Sequence, residues 1–320
     1  MVLKNKSTPP PRAPWRSLFR EHISRVSPTE FSFSTVHRDP ITGKTCPRVR
    51  TCIFRNFWAE MTVSRSAMAD LNEYFVPSEP TKSSLKTETD CSYAPESTEE
   101  EHDHDGGERS DDMRVKRFGG GPEKPVNEAV FESDLFTFTT DVRMAKVGDL
   151  VDPSGAPGGD VEALFWLKHF STQWRVKGKA FVIGGDPGDK AEKKAREEIQ
   201  KGMRQNPGYS RKEVQNWSWE KEITAQFANL SPLTRGSFKN PPPGSSKSAS
   251  GADPTLRLGQ KVYDLFDPVA RSNFRVVVIR PEEVEIVDLT EPEAAMRTRW
   301  SLVPRGDGHG TEWKEEELWP

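Results

Sequence analysis

The sequence predicts a mainly β fold, in which a closed or partly closed β-barrel carries peripheral helices. About seven short runs rich in β-branched and aromatic residues alternate with Gly, Pro, Asn and Asp turn residues. The connections between several of these runs are short, which favours antiparallel pairing. Few stretches show the 3.6-residue period of a helix.

The bulk composition argues against several classes of protein. The chain has 320 residues and a net charge of -3, which gives no argument for a nucleic-acid partner. No apolar run approaches the ~20 residues that a membrane helix needs, so no membrane partner is expected. The three cysteines, Cys46, Cys52 and Cys91, are too few and too irregularly spaced for a disulfide framework. They include no CxxC pair, so no metal site is predicted. Free thiols suit a reducing compartment, and the expected location is the cytoplasm.

The N-terminal part is predicted to contain one helix and two strands. Residues 1–12 are expected to be a disordered Pro-rich tail, and residues 14–25 an amphipathic helix. Strands are predicted over 30–37 and 49–57, with a turn at 39–43 between them. The basic N-terminus would also suit a transit peptide. A docked helix is preferred because one helical face collects Trp15, Leu18, Phe19 and Ile23.

Residues 64–129 are predicted to be a disordered acidic insertion. Its central run, ESTEEEHDHDGGERSDD at 96–112, is nearly free of apolar residues. Such a segment cannot bury enough surface to offset its ordering entropy. His102 and His104 lie within this run, where a solvated tract is a better interpretation than a metal site.

Strands are again predicted after the insertion. One covers residues 135–140, and two more at 163–167 and 173–183 are close enough for a hairpin. A last pair is predicted at 274–279 and 284–289, on either side of Pro281.

Two helices and a loop complete the predicted domain. A charged helix is predicted over 187–205. A second helix begins at Ser210, with Glu213 completing a capping box, and its buried side chains are expected to be Trp217, Ile223 and Phe227. Residues 239–254 form a low-complexity loop. The prediction is therefore a single domain over residues 13–320, interrupted by the insertion and by this loop.

Cations and hydroxyls at strand ends are the candidate chemistry of the chain. Arg48 and Arg50 share one face of their strand, and Arg55 points to the other face. Thr139, Thr140, Arg143 and Lys146 lie at the end of the next strand and could bind a phosphate. The alternative is a set of solvated charges at a barrel rim. Gln173 could recognise the edge of a heterocycle, or it could be a surface residue.

Several segments together resemble the pyridoxamine 5'-phosphate oxidase-like family of flavin mononucleotide (FMN)-binding split barrels. They are most similar to the branch with a Pro-Trp opening helix and a Phe-Ala-Asn-Leu-Ser-Pro stretch. The matching pieces cover roughly half to two-thirds of the chain in the family's order, outside the insertion and the loop. They are APWRSLFREHI (13–23), PRVRTCIFRNF (47–57), LFTFTTDVRMAK (135–146), ALFWL (163–167), QWRVKGKA (173–180), WSWEKEITAQFANLSPLTRGSF (217–238) and NFRVVVIRPEEVEIVDL (273–289).

The resemblance assigns roles to named residues. The family's R-x-x-x-x-[KR] strand motif places Arg50 at the flavin and Arg55 near the substrate. The F-x-T-[ND]-x-x-S-x-K motif begins at Phe138, and its Thr139, Thr140 and Lys146 are expected to hold the ribityl chain and phosphate. The remaining implied contacts with the cofactor are Gln173, Ser231 and Arg299. No catalytic residue is implied.

The chain departs from the family pattern at three places. Met144 stands where serine is common, which removes one phosphate donor worth about 1 kcal/mol. Arg271 falls near the position of a flavin-facing tryptophan. The C-terminal R-L-H-D-R is here Met296-Arg297-Thr298-Arg299, so the substrate-side histidine is absent.

The resemblance implies an FMN-binding flavoprotein that acts on a small-molecule substrate as a homodimer with its cofactor between subunits. Its expected activity is oxidation of a pyridoxine-type amine or alcohol, with hydride transfer to flavin. Three alternatives stay open: a flavin-dependent reductase of another small molecule, a noncatalytic FMN-binding protein, and a β-domain without flavin.

Overall fold

The computed structural model describes residues 9–39, 41–73, 126–150, 157–248, 253 and 255–320. The predictions for residues 1–8 and 74–125, which include most of the acidic insertion, lie outside the described residues. The strands are β1 (Glu30–Arg38), β2 (Thr45–Ile53), β3 (Asn56–Phe57), β4 (Phe131–Ser133), β5 (Phe136–Asp141), β6 (Gly159–Leu167), β7 (Thr172–Ile183), β8 (Met203–Gln205), β9 (Phe274–Asp288), β10 (Met296–Pro304) and β11 (Thr311–Leu318). The α-helices are α1 (Arg16–Ser24), α2 (Arg65–Glu73), α3 (Ala145–Asp149), α4 (Lys190–Lys201), α5 (Arg211–Asn216), α6 (Trp219–Ala228), α7 (Pro232–Gly236) and α8 (Pro268–Asn273).

The main sheet is antiparallel and closes into a barrel. Its strands run in the order β11-β10-β9-β7-β6-β1-β2, and β5 pairs with both β9 and β3. Since β3 follows β2 after only two residues, the β3–β5 pairing joins the two ends of the ring. The hairpin of β10 and β11 extends the sheet beyond the barrel from the second half of β9. The predicted mainly β barrel with peripheral helices is therefore confirmed.

Helix α1 packs on the barrel interior through aromatic rings. Trp15 and Phe19 are fully buried, whereas Leu18, expected on the same face, stays 40% exposed. Phe19 makes edge contacts at ring-centroid distances of 5.2 Å with Phe165 and 5.4 Å with Trp174. Such edge-to-face pairs add to the stabilisation from buried area. A second apolar cluster on the outside of the barrel collects side chains of α2, α4 and α6.

Strand β9 is continuous through Pro281, so the prediction of two strands around this proline is wrong. The pairing with β7 shifts register between Lys177 and Gly178, which forms a β-bulge opposite the proline. A bulge tolerates proline because the regular hydrogen bonds between the strands are already interrupted there, so the missing N–H removes none of them. A Cβ at Gly178 would lie 2.0 Å from the carbonyl oxygen of Arg280, so only glycine allows this approach.

The predicted helices exist but end earlier. The helix expected over 187–205 ends at Lys201, and β8 follows it because Met203–Gln205 pairs with β4. The capping box is confirmed, with the Ser210 N–H donating to Glu213 Oε2 at 2.7 Å. That helix ends at Asn216, and Ser218 caps a new one, α6. Ile223 and Phe227 are buried in α6 as expected, but Trp217 is only partly buried.

Two segments predicted to be disordered contain ordered residues. Helix α2 lies inside the predicted insertion because Ala67 and Leu71 bury their side chains in the outer cluster. In the predicted tail, the Pro11 carbonyl accepts a bond from Arg204, and Arg12 forms an ion pair with Glu132. Both segments are ordered by contacts with distant residues. None of the helices in the described ranges has the length and apolar character needed to cross a bilayer.

Candidate functional site

Arg50 lies at one end of the barrel and points toward its interior. It pairs directly with Phe33 on β1, whose ring belongs to the interior cluster. Its Nη1 donates to Thr35 Oγ1 at 2.7 Å, and its Nη2 lies 3.4 Å from Asp149 Oδ2. These contacts hold the guanidinium beside the end of α3.

Asp149 organises this end of the barrel. Its side chain is only 4% exposed and accepts from Thr35 Oγ1 at 2.7 Å. Its other oxygen is 2.7 Å from His37 Nδ1. We call Thr35, His37, Arg50 and Asp149 the Asp149 cluster. Sequence reasoning missed Thr35, His37 and Asp149, although Asp149 follows Lys146 by three residues and so lies near it on the same helix.

Lys146 stands next to the Asp149 cluster without an ion pair among the described residues. Burial lowers the pKa of its ammonium, and the nearby charge of Arg50 lowers that pKa further. The ammonium lies 5.8 Å from the ring centroid of Phe138. Burial also raises the pKa of the Cys52 thiol, while Lys146 and Arg50 oppose that shift. Two cations therefore meet at a partly buried place, where an anion would gain from both.

The threonine and arginine side chains at the end of β5 and in the turn after it point in different directions. Thr140 shares the inward face with Phe138, and its hydroxyl lies 3.5 Å from Met144 Sδ. Thr139 points to the other face of β5. Arg143 is bound by Asp141, with Nη2 to Oδ2 at 2.6 Å, and also by backbone carbonyls. The turn therefore brings Thr140 and Lys146 to the cluster and holds Arg143 elsewhere.

Arg55 lies in the two-residue break between β2 and β3. Its backbone N–H donates to the Thr137 carbonyl at 2.9 Å, which keeps the chain against β5. Burial lowers the pKa of its guanidinium, and its buried Nε has no acceptor in the described part of the chain. A buried donor without an acceptor is costly because its lost hydration is not replaced.

Gln173 and Arg299 lie on the outer face of the extended sheet. Gln173 follows Thr172 on β7 and points away from the barrel interior, which its neighbour Trp174 fills. With its amide oxygen toward Arg175, Gln173 accepts from Nε at 2.7 Å. Arg299 Nη2 lies 2.7 Å from Glu316 Oε2 on the neighbouring strand.

Ser231 lies in a fourth place, apart from the barrel end, the β2–β3 break and the outer sheet face. It is the exposed N-cap of α7, where its hydroxyl accepts from the Thr234 N–H at 3.2 Å. A single protomer thus groups the candidate residues at the barrel end, in the β2–β3 break, on the outer sheet face and at this helix start.

The residues at the barrel end fit the phosphate of FMN. Lys146 supplies an ammonium without an ion pair in the described ranges, and Arg50 keeps its Nε available. Phosphate is an acceptor that both cations can bind by charge-assisted hydrogen bonds. The carboxylate of Asp149 offsets part of this positive charge.

The family model of the pyridoxamine 5'-phosphate oxidase, FMN-binding domain matches residues 12–184 of the chain. The chain belongs to this family. The match contains Arg50, Arg55, Lys146 and Gln173 and ends before Ser231 and Arg299. FMN is therefore its cofactor, and the fold is the FMN-binding split barrel.

One solved structure agrees with this fold. A pyridoxamine 5'-phosphate oxidase-related, FMN-binding protein from Nostoc punctiforme PCC 73102 is 18% identical, with a TM-score of 0.51, over 97% of this chain and 100% of its own. PhzG from Burkholderia lata 383, in complex with tetrahydrophenazine-1-carboxylic acid, is 12% identical, with a TM-score of 0.39, over 95% and 89%. General Stress Protein 26 from Bacillus anthracis str. Sterne is 10% identical, with a TM-score of 0.27, over 84% and 92%. The last two are too dissimilar to support an argument. A comparison with curated proteins gave no match.

Proposed function

We propose that this FMN-binding protein is an oxidoreductase that oxidises a pyridoxine-type amine or alcohol. The observation that carries the proposal is Lys146, a partly buried cation beside Arg50 that has no ion pair among the described residues. FMN supplies the hydride-accepting chemistry when it is bound. The protein's part is to hold the phosphate at Lys146 and Arg50 and to orient the rest of the cofactor.

Thr139 and Thr140 are assigned to the ribityl chain and phosphate in this proposal. Thr140 is the better supported of the two because it shares the inward face of β5 with Phe138 and lies on the turn that carries Lys146. Thr139 points away from that face, so its contact depends on where the ribityl chain leaves the phosphate.

The cofactor site is proposed to be shared by two copies of the chain. Gln173 and Arg299 are on the outer sheet face, whereas Arg50 is at the barrel end, so one protomer divides its candidate contacts. The outer face also carries Trp166, which is 51% exposed and lies opposite Gln173 in the β6–β7 pairing. A second copy covering this face would bury Trp166 and bring the two groups of contacts together. Ser231, on α7, is a further contact in the same proposal.

Arg55 is proposed to bind an anionic group of the substrate. Its partly buried guanidinium has no ion pair in the described part of the chain, and a substrate phosphate would give it one. We further propose a single domain over residues 13–320 and a cytoplasmic location, which the free thiols of Cys46 and Cys52 support.

A second candidate is a flavin-dependent reductase of another small molecule. Arg299, the C-terminal arginine of the motif, is paired with Glu316 at 2.7 Å and lies 4.0 Å from Glu285. Arg297 also pairs with Glu285, at 2.7 Å. These acids offset the positive charge that would attract an anionic substrate, and the substrate-side histidine is absent. A noncatalytic FMN-binding protein is the third candidate on the same grounds.

The cofactor site is tested by the affinity for FMN of Lys146→Ala, measured by quenching of flavin fluorescence. Loss of one charge-assisted hydrogen bond, about 1.5–3 kcal/mol, should raise the Kd about 10- to 150-fold. Lys146→Arg should retain most of the affinity, as should Lys177→Ala, which removes an exposed lysine from β7. Riboflavin lacks the phosphate, so its Kd should hardly change. Equal weakening of riboflavin and FMN would refute the phosphate role of Lys146.

The reaction is tested with pyridoxamine 5'-phosphate and air-saturated buffer, with hydrogen peroxide as the product measured. Turnover by the native chain, together with a higher KM for this substrate in Arg55→Ala, supports the proposed oxidase. A yellow protein that is inert toward this substrate contradicts it and points to the reductase or to noncatalytic binding. Reduction of the bound flavin by NADH or NADPH, followed by reoxidation with a small-molecule acceptor, would favour the reductase.

A further inference from the structure

The hydroxyl of Thr35 stands between the guanidinium of Arg50 and the carboxylate of Asp149. Arg50 Nη1 donates to Thr35 Oγ1 at 2.7 Å, and Thr35 Oγ1 donates in turn to Asp149 Oδ2 at 2.7 Å. Both directions are fixed by chemistry, because a guanidinium cannot accept a hydrogen bond and a carboxylate cannot donate one. The single proton of the hydroxyl therefore goes to Asp149, and a lone pair of the same oxygen receives Arg50. We call this path of hydrogen bonds the Thr35 relay.

Arg50 is the member of the Thr35 relay that offers accessible surface to a ligand. Its side chain is 21% exposed, whereas that of Asp149 is 4% exposed and Thr35 as a residue is 2% exposed. An effect of Thr35 on a bound cofactor would therefore pass through Arg50.

The Thr35 relay holds one edge of the guanidinium and leaves another for a ligand. A planar guanidinium has an edge between its two terminal nitrogens and an edge between Nε and Nη2, and each can bind two oxygens at once. Nη1 meets Thr35 Oγ1, while Nη2 lies 3.4 Å from Asp149 Oδ2. These two acceptor oxygens are 2.7 Å apart, a spacing that suits the pair of terminal nitrogens. Among the described residues Nε makes no hydrogen bond, so the Nε–Nη2 edge is the one left for an oxyanion.

Asp149 is itself fixed at both oxygens by strand β1. Oδ2 receives Thr35, and Oδ1 lies 2.7 Å from His37 Nδ1. Thr35 and His37 are two residues apart and so share a face of the strand. The acceptor at the end of the relay is therefore held in place before any ligand binds. Arginine has many rotamers, and fixing it during folding lowers the entropy lost when an anion binds.

The charge of Asp149 cannot explain a favourable effect on a phosphate. A carboxylate repels a phosphate and offsets part of the charge of Arg50. A contribution of the Thr35 relay to phosphate binding must therefore come from the orientation of Arg50. Orientation can be tested apart from charge, because removing the Thr35 hydroxyl leaves every charge in place.

We propose that Thr35 and Asp149 are positioning residues for FMN. Asp149 acts through the Thr35 hydroxyl and fixes Arg50 so that its Nε–Nη2 edge faces the phosphate. The proposal rests on the proposed phosphate site at Arg50 and Lys146, and it adds the contacts that prepare this site before the cofactor binds. Without the hydroxyl, Arg50 keeps its charge but loses its fixed orientation, so affinity for the phosphate should fall.

The test is the affinity of the full chain for FMN and for riboflavin, measured by quenching of flavin fluorescence. Thr35→Val removes the hydroxyl and keeps the branched shape, and Thr35→Ser keeps a hydroxyl. Arg50→Ala, alone and combined with Thr35→Val, completes a double-mutant cycle. The matched control is Thr172→Val on β7, where a threonine that is 1% exposed donates to the Phe170 carbonyl at 2.8 Å. Far-ultraviolet circular dichroism and cooperative unfolding establish that each variant is folded.

Thr35→Val should raise the Kd for FMN about 5- to 20-fold, since one hydrogen bond of the phosphate ligand loses its geometry. The Kd for riboflavin should hardly change, because riboflavin has no phosphate. Thr35→Ser and Thr172→Val should bind FMN with nearly native affinity. In the Arg50→Ala background, Thr35→Val should cause no further loss, because the group that it positions is absent.

Four results would overturn the proposal. Native affinity for FMN in Thr35→Val, with weakened binding in Arg50→Ala, refutes positioning and leaves the phosphate site standing. A full further loss from Thr35→Val in the Arg50→Ala background shows that Thr35 acts independently of Arg50. Equal weakening of FMN and riboflavin by Thr35→Val, or an equal loss in Thr172→Val, shows a general structural effect. Native affinity for FMN in Arg50→Ala overturns the proposed phosphate role of Arg50 together with its positioning, so the two failures are distinguishable.

Discussion

Glu222 should make the stability of the protein depend on pH, and Glu222→Gln should remove this dependence. The group is an acid whose pKa is raised on folding, from 4.5 to about 7, because burial penalises its charged form. Its favourable contribution is fully present below pH 4.5, where it is neutral in both states. That contribution is lost as the pH rises through 7, because the folded state must then hold a buried charge.

The magnitude follows from the size of the shift. About 2.5 pKa units at 1.36 kcal/mol each correspond to about 3 kcal/mol of lost stability above pH 8. The unfolded state already ionises partly below pH 5, so a fraction of this loss precedes the interval. About 2.5 kcal/mol of it falls between pH 5 and pH 8. A glutamine has no charge to bury at either pH. The stability of Glu222→Gln relative to the native chain should therefore rise by about 2.5 kcal/mol over this interval.

The assay is urea unfolding followed by tryptophan fluorescence at pH 5 and pH 8, for the native chain, Glu222→Gln and Glu220→Gln. Using the difference between variant and native chain cancels the other titrating groups, since each variant keeps them. Glu220→Gln is the matched control, since it makes the same change at a side chain on the same helix that is 38% exposed. A Glu222→Gln variant with the same relative stability at both pH values would refute the claim that this carboxyl is buried with its charge uncompensated.

Three further changes test other parts of the fold. Burial raises the pKa of Asp134, but hydrogen bonds and charge from Arg204 and Arg16 lower it overall. Asp134→Ala should therefore cost about 3–5 kcal/mol by leaving buried cations unpaired, and an unchanged urea midpoint would contradict this. Gly178→Ala should cost more than about 2 kcal/mol because its Cβ would meet the backbone at the β9 bulge, and a native-like melting temperature would count against this packing. Trp166→Glu should convert the proposed dimer to a monomer in light scattering, and a dimer that persists in this variant would exclude the outer sheet face as the interface.

Elements with a local signal were predictable from the sequence. Strand β7 alternates more and less buried side chains from Thr172 to Lys179, so its period is visible without neighbours. The start of α5 was predictable because the capping box joins Ser210 to Glu213, only three residues apart. The apolar face of α1 was visible for the same reason, although the exposure of Leu18 was not.

Elements stabilised by distant partners were not predictable. Strand β11 has the sequence TEWKEEEL, which reads as a solvated charged segment, yet it pairs with β10 along its full length. Cross-strand contacts such as that of Arg299 with Glu316 exist only once the hairpin has formed. Helix α2 likewise has a weak local signal and is ordered by burying Leu71 against the outer cluster.

The candidate site divides in the same way. Arg50 and Lys146 were identifiable as cations at strand ends and from the family resemblance. The Asp149 cluster was not, because it joins β1, β2 and α3 at contacts as distant as 114 residues in sequence. Glu222 was also hidden, since an acid on a helix usually faces water and only tertiary packing shows that this one is buried.

The sequence by itself determined the fold class, the family and the cofactor, because side-chain periodicity and short motifs are carried by neighbouring residues. Tertiary structure alone decided which charges meet. Barrel closure brings Lys146 and Asp149 beside Arg50, and helix packing places Glu222 in a cavity wall. The physical reason is that the free energy of a charge depends on its burial and on its neighbours, and both are set by the folding of distant segments onto one another.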